Sequence, residues 1–157
     1  MQPILQFAQQ AWDQQAERYR NVVEGMPDEA LTWQPTRAET NSVAQIVQHV
    51  FEGLPWLLGI ACGEPVPTRE QLHARVGHMW RNNPTTQQEL LDIIATGCRG
   101  RDAALATLDG MNLNDEVQMF ARPRPRLFLV AGFVSHSAEH LGHIELTKQL
   151  WEAAQES

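Results

Sequence analysis

The sequence is short of positive charge: 12 Lys and Arg stand against 19 Asp and Glu, a formal net charge of −7. Nonspecific nucleic-acid binding draws most of its affinity from phosphate neutralisation, so no such partner is expected. Attraction to an anionic membrane surface is disfavoured on the same ground. Cysteine is scarce as well. Cys62 and Cys98 match no CxxC pattern and are too few for a disulfide framework. They read as two reduced, partly buried thiols of a cytoplasmic protein. Long apolar runs are missing too, since the strongest stretch, Leu54 to Cys62, falls far short of a membrane span. The opening MQPILQFAQQAWDQQ lacks a basic n-region and a continuous apolar h-region, so no signal peptide is expected.

In bulk the rest is ordinary. A length of 157 residues, with 43% apolar and 20% charged, favours one globular domain over residues 1–157. The departure is six histidines in a small acidic chain.

The periodicity is helical almost throughout. Leu5, Ala8, Trp12, Ala16, Tyr19 and Val23 recur at three- and four-residue steps. Pro3 suits a first helical turn, and Gly25 with Pro27 stops the helix. After a connector with room for one turn at Asp28 to Leu31, a second helix opens near Thr40 to Ser42, which can cap it. Pro55 should kink or end that helix. Residues 63–85 read as a long connection that frames a pocket. Thr86 with Glu89 forms a capping box for a third helix, whose middle Gly97 and Gly100 weaken. Asp109 to Pro125 reads as a linker, and a fourth helix runs from about Arg126 to Ala154. With no convincing strand, the expectation is an all-α four-helix bundle with long connections.

Three histidines fall within SHSAEHLGHIEL on the fourth helix. At about 100° per residue, His140 lies about 40° from His136 and His143 about 20° to the other side. Leu129, Gly132, Phe133 and Thr147 share that stripe, so the imidazoles continue an inward-facing seam. Imidazoles at i and i+4 can chelate one ion. A third ligand must come from another helix, and His49, on or beside the buried stripe of the second helix, is the best candidate. The alternative is a set of satisfied core histidines. His136, Glu139 and His140 also spell HxxEH, the inverted zinc-protease signature. That reading is disfavoured, because only 17 residues follow His140 and strands are lacking. His73 and His78 lie in the Pro-rich connection and read as exposed polar groups.

Three segments, in order, carry a resemblance. LTWQP (Leu31 to Pro35) resembles the Leu-x-Trp-x-Pro segment of the DinB/YfiT-like family of small bacterial four-helix proteins. NSVAQIVQHV (Asn41 to Val50) resembles that family's Ser-Ile-x-x-Ile-x-x-His start, and HSAEHLGHI (His136 to Ile144) its His-x3-His followed by Gly. The resemblance implies a bundle with a divalent metal, zinc or nickel, held by His49, His136 and His140. It also implies a homodimer, and enzymes that use low-molecular-weight bacterial thiols as S-transferases or thiol-dependent isomerases. Many members carry a polar residue directly after the last ligand, where this chain has Leu141 and then His143.

Three imidazoles with an open fourth position describe a catalytic site. The first expectation is therefore a metal-dependent transferase acting on a small-molecule thiol and an electrophile. Glu52 and Glu139 are candidate proton carriers, and His143 and Trp56 candidate second-shell or pocket residues. Trp80 is a further pocket candidate, and Arg122, Arg124 and Arg126 a docking cluster for an acidic cosubstrate. The alternatives are a non-catalytic metal- or ligand-binding homodimeric stress-response module, a metal-dependent hydrolase, and a bundle that has lost its metal.

Overall fold

A computed structural model describes residues 1–35, 40–74 and 84–156. Helix α1 (Pro3–Glu24) takes its proline in the first turn, where a missing N–H costs nothing. A 3-10 turn follows at Asp28–Ala30. Helix α2 (Val43–Gln48) opens on a full capping box, with Ser42 Oγ accepting from Gln45 N and the Gln45 side chain accepting from Ser42 N. The chain then widens into a π turn, His49–Gly53, before α3 (Trp56–Cys62). Residues 69–74 are helical. Helix α4 (Gln87–Asp109) starts on the Thr86–Glu89 capping box that its sequence predicts. Helix α5 (Arg126–Gln155) ends the fold. None of the described helices is long and apolar enough to cross a membrane.

The architecture is the expected all-α bundle. Helix α1 packs on α4 and α5, and the broken column of α2 and α3 lies against the same two helices. One expectation fails: Asp109 to Pro125 is not a plain linker. It holds a two-stranded antiparallel hairpin, β1 (Glu116–Met119) and β2 (Arg122–Pro125). Pro123 and Pro125 remove donors and so mask a strand in sequence, yet an edge strand tolerates them. Phe120 takes the positive φ of 52° that the tight reversal demands. Arg126 N and Leu127 N donate back to Asp115 O and Leu113 O, which ties the hairpin to the first turn of α5.

The break in the second helix has a local cause. Pro55 has no N–H to return to the Phe51 carbonyl, and Leu54 N bonds instead to His49 O at 2.9 Å. Helix α4 closes on this spot through Gly97. A Cβ there would lie 2.8 Å from Phe51 O and 2.9 Å from Phe51 Cβ. Gly100, expected to weaken the same helix, faces open space.

The two glycines therefore predict opposite signs. Gly97→Ala gains helix propensity but drives a methyl into backbone, and overpacking of this kind costs about 1–3 kcal/mol. Gly100→Ala should stabilise by up to about 1 kcal/mol. Urea denaturation of the two variants measures both effects, and stabilisation by Gly97→Ala would remove the proposed close approach.

Candidate functional site

The site is assembled by aromatic packing. Phe51, in the π turn, meets Trp12 and Tyr19 of α1 edge-on, each with ring centroids 5.2 Å away. Trp12 stacks on Phe133 of α5 at 4.2 Å. The Tyr19 hydroxyl donates to Ser137 O at 2.9 Å, and burial pushes its pKa upward. Phe51 follows His49 by two residues and Phe133 precedes His136 by three, so this chain of rings fixes the two histidine-bearing elements relative to each other.

Across that join three imidazoles converge. His136 Nε2 lies 3.2 Å from His49 Nε2 and 3.1 Å from His140 Nε2. Each histidine offers one nitrogen to a group whose ligand atoms all lie within 4.8 Å of one another. The sequence-predicted triad is thus brought together. Two nitrogens bound tetrahedrally at the usual zinc–nitrogen length of about 2.05 Å would stand about 3.3 Å apart, so the spacing fits. The donor set fits too. An imidazole nitrogen carries either one N–H or one in-plane lone pair, so His136 Nε2 aligns fully with only one neighbour. A cation can use all three lone pairs at once.

The electrostatics disfavour protonation of His49 and His140. Burial holds His49 below its ordinary pKa, with His136 adding to the effect. Burial also lowers His140 to about 4, assisted by His49, His136 and His143. Neutral imidazole is the ligand form. Glu139 Oε2 stands 3.4 Å from His136 Nδ1, which favours the proton on Nδ1 and leaves the Nε2 lone pair facing the cluster. His140 Nδ1 is buried with no partner among the described residues. Its ring is held instead between those of His49, His136 and His143, at 4.6, 4.5 and 5.4 Å.

The other sequence candidates fall elsewhere. His143 is exposed beside His140 and outside the ligand group. Glu52 is exposed in a cavity facing Asp92 and Thr96 of α4. Trp56 lies against Phe120 at 5.9 Å and lines a cavity of about 590 Å³ between α3 and α4 in which no histidine takes part. The π turn explains both placements. Its wider turn advances each residue by less than the α-helical 100°, so the face shared with His49 on an ideal α-helix is lost within the turn and beyond it. A Pro inside a helical run was the one available warning. The arginines also separate. Arg126 donates to Ala61 O, Arg124 sits 4.9 Å over the Phe128 ring, and Arg122 is exposed. Cys62 and Cys98 are free thiols. Burial raises the Cys62 pKa, Glu64 adds to this and Arg126 opposes it. His73 is exposed, while His78 and Trp80 lie outside the described residues.

No protein of curated function matches the sequence significantly. The fold is similar to solved structures. A conserved protein from Enterococcus faecalis matches with a TM-score of 0.70 at 16% identity, covering 92% of this chain and 95% of its own. A DinB-like protein from Bacillus cereus matches at 0.62 and 17%, over 89% and 87%. A mycothiol-dependent maleylpyruvate isomerase matches at 0.67 and 13%, over 89% of this chain and 60% of its own length. The sequence profile of the DinB superfamily spans residues 11–144, from the middle of α1 to past the last histidine of the cluster, and the chain belongs to the DinB superfamily.

Proposed function

We propose that this protein is a divalent-metal-dependent enzyme that transfers a small electrophile to a low-molecular-weight thiol. Zinc or nickel would be held by His49, His136 and His140. The observation that carries the reading is the convergence of three imidazole Nε2 atoms, that of His136 lying 3.2 and 3.1 Å from those of His49 and His140. The likeness in fold to a mycothiol-dependent isomerase supports the thiol.

A divalent cation bound there would lower the pKa of a thiol or water placed beside it. The chain's own residues do the rest. Burial disfavours protonation of His49 and His140, which favours the neutral form a metal needs. The Glu139 carboxylate, 3.4 Å from His136 Nδ1, would favour the proton on that nitrogen and leave Nε2 for the ion. The core under the cluster, from Phe51 to Phe133, shields one side from water. In the transfer, the thiol sulfur bonds to the electrophilic carbon, the leaving group departs with the pair of the broken bond, and the thiol proton passes to water.

A second reading has its own observation. Phe7 and Ile4 of α1 are 64% and 42% exposed and border an apolar depression shared with Val130 and Val134 of α5. That face suits a homodimer, in which the metal site would serve binding without turnover.

Elemental analysis of protein made without a His-tag should give about one divalent ion per chain. Glu139→Gln should weaken metal affinity about 10-fold, in the range for ligand-orienting partners, and His140→Ala should weaken it further. No bound metal, together with no uptake of added zinc or nickel at pH 7.5, sinks both readings. Turnover of bacillithiol- or mycothiol-type thiols with a fluorogenic bimane electrophile should vanish in His140→Ala. Stoichiometric metal with no turnover across the thiol panel would favour the binding module.

The low pKa of His140 predicts a pH dependence for the metal-free protein. An unfolded imidazole takes up its proton near pH 6.5, whereas His140 in the folded chain does so only near 4. Between those values the unfolded state binds more protons, so stability falls as pH drops from about 6.5 to about 4 and then levels. Melting temperatures of chelator-treated protein across that window should show the decline, and His140→Ala should flatten it. A decline unchanged in that variant would contradict the assignment.

A further inference from the structure

Helix α3 ends in a turn that sends one side chain back along it. Gly63 takes the left-handed φ of 104°. Its N–H bonds to Ile60 O and that of Glu64 to Gly59 O, both at 2.9 Å. This paired C-cap reverses the chain, and the Glu64 carboxylate comes to lie on the backbone of Gly59. A Cβ at 59 would stand 2.5 Å from Glu64 Oε2 and 2.9 Å from its Cδ.

The carboxylate so placed borders the cavity of about 590 Å³ between α3 and α4. Trp56 and Leu58 give it an apolar wall, and Gly100 and Ala103 of α4 a shallow floor. The floor is low because side chains are missing from it, since a Cβ at Gly100 would meet nothing within 4 Å. Two polar side chains of the wall are already engaged. Cys62 Sγ donates to Ala104 O at 3.5 Å, and Thr107 Oγ1 to Ala103 O at 3.0 Å. Glu64 is not. Among the described residues no cation or hydrogen-bond donor is bonded to its carboxylate.

The neighbouring charges have the same sign. Past Pro55 and Gly100 the groove along α4 continues into a second cavity, which carries Glu52 and Asp92. Two nearby arginines are bonded elsewhere, Arg126 to Ala61 O and Arg99 to Thr96 Oγ1. The volume lies within the usual 300–1,000 Å³ of small-molecule pockets. A free carboxylate in such a space draws a cation, and an indole adds to that attraction through its ring face. The apolar wall gains by being covered with hydrocarbon.

We propose that this cavity binds a small organic amine, its ammonium group on Glu64 and its apolar body over Gly100 against Leu58 and Trp56. The site is independent of the thiol-transferase reading, because none of His49, His136 and His140 is among its described lining residues.

Phenethylamine and phenethyl alcohol differ by one charge at nearly equal size. Titrated into the purified protein and followed by backbone NMR, the amine should bind about fivefold tighter, the upper range for an exposed ion pair. That advantage should shrink as salt is added. The shifts should centre on residues 55–64 and 100–107. Glu64→Gln should bring the two affinities together, whereas Glu17→Gln, at an exposed carboxylate on α1, should leave them apart. Gly100→Leu grows a side chain into the open space and should abolish binding of both. A melting temperature unchanged or raised, as the gain in helix propensity implies, shows that this variant is folded. Failure of the amine to bind, equal affinity for amine and alcohol, a preference that persists in Glu64→Gln, or unchanged binding to folded Gly100→Leu each overturns the proposal.

Discussion

Phe51 is the residue on which the rest of the structure leans. It sits in the π turn two residues after His49, with Trp12 and Tyr19 of α1 on its ring and Gly97 of α4 against its backbone. Trp12 passes the contact to Phe133, three residues ahead of His136. Packed aromatics of this kind hold their partners in one arrangement, because interiors close-pack and transmit displacement rather than absorb it. The separation of His49 from the α5 histidines is therefore set by the core beneath them. Loops do not set it.

That dependence joins fold and chemistry at a break in the helix. An uninterrupted α-helix from Ser42 to Cys62 would return the Phe51 carbonyl to residue 55. Proline at 55 forbids that bond, and the turn widens to i→i+5. Turns of this type recur at functional sites because they redirect side chains without ending the helix. Here the redirection leaves His49 facing α5 and turns Glu52 and Trp56 toward α4. The absent side chain at 97 is the complement of the proline, since α4 could not approach the widened turn with a Cβ in the way.

These details explain what was legible in the sequence. The helices were, because their apolar residues keep a 3.6-residue period and because Ser42, Thr86 and Glu89 cap them in recognisable positions. The convergence of three histidines was as well, since His136 and His140 share a helix face and His49 precedes the break. The hairpin was not. Two prolines in β2 and a Phe-Ala reversal carry none of the usual strand or turn signals, and the pairing is specified by its anchorage to α5. Glu52 and Trp56 were misplaced for one reason: α-helical spacing was extended through a turn that is not α-helical. Glu139 was named for proton transfer, and its geometry instead makes it a neighbour of His136 Nδ1.

Helix α5 divides its labour along its length. Its first turns, through Leu129, Val130 and Phe133, are buried and belong to the core. Its middle carries two of the three imidazoles, and near its end Leu146 and Leu150 are exposed while Ile144 and Thr147 stay buried. Substitutions at the exposed Leu146 and Leu150 cost little stability, because exposed side chains hold little together. Changes in the first region disturb the aromatic chain and with it the spacing of the histidines. Such a division lets the exposed surface of α5 change while the histidine geometry stays fixed. It accords with folds that superpose at TM-scores of 0.62 to 0.70 while sharing only 13 to 17% of their residues. The aromatic chain, Gly97 and Pro55 hold the join between the π turn, α4 and α5, and the exposed surface of α5 stands outside that constraint.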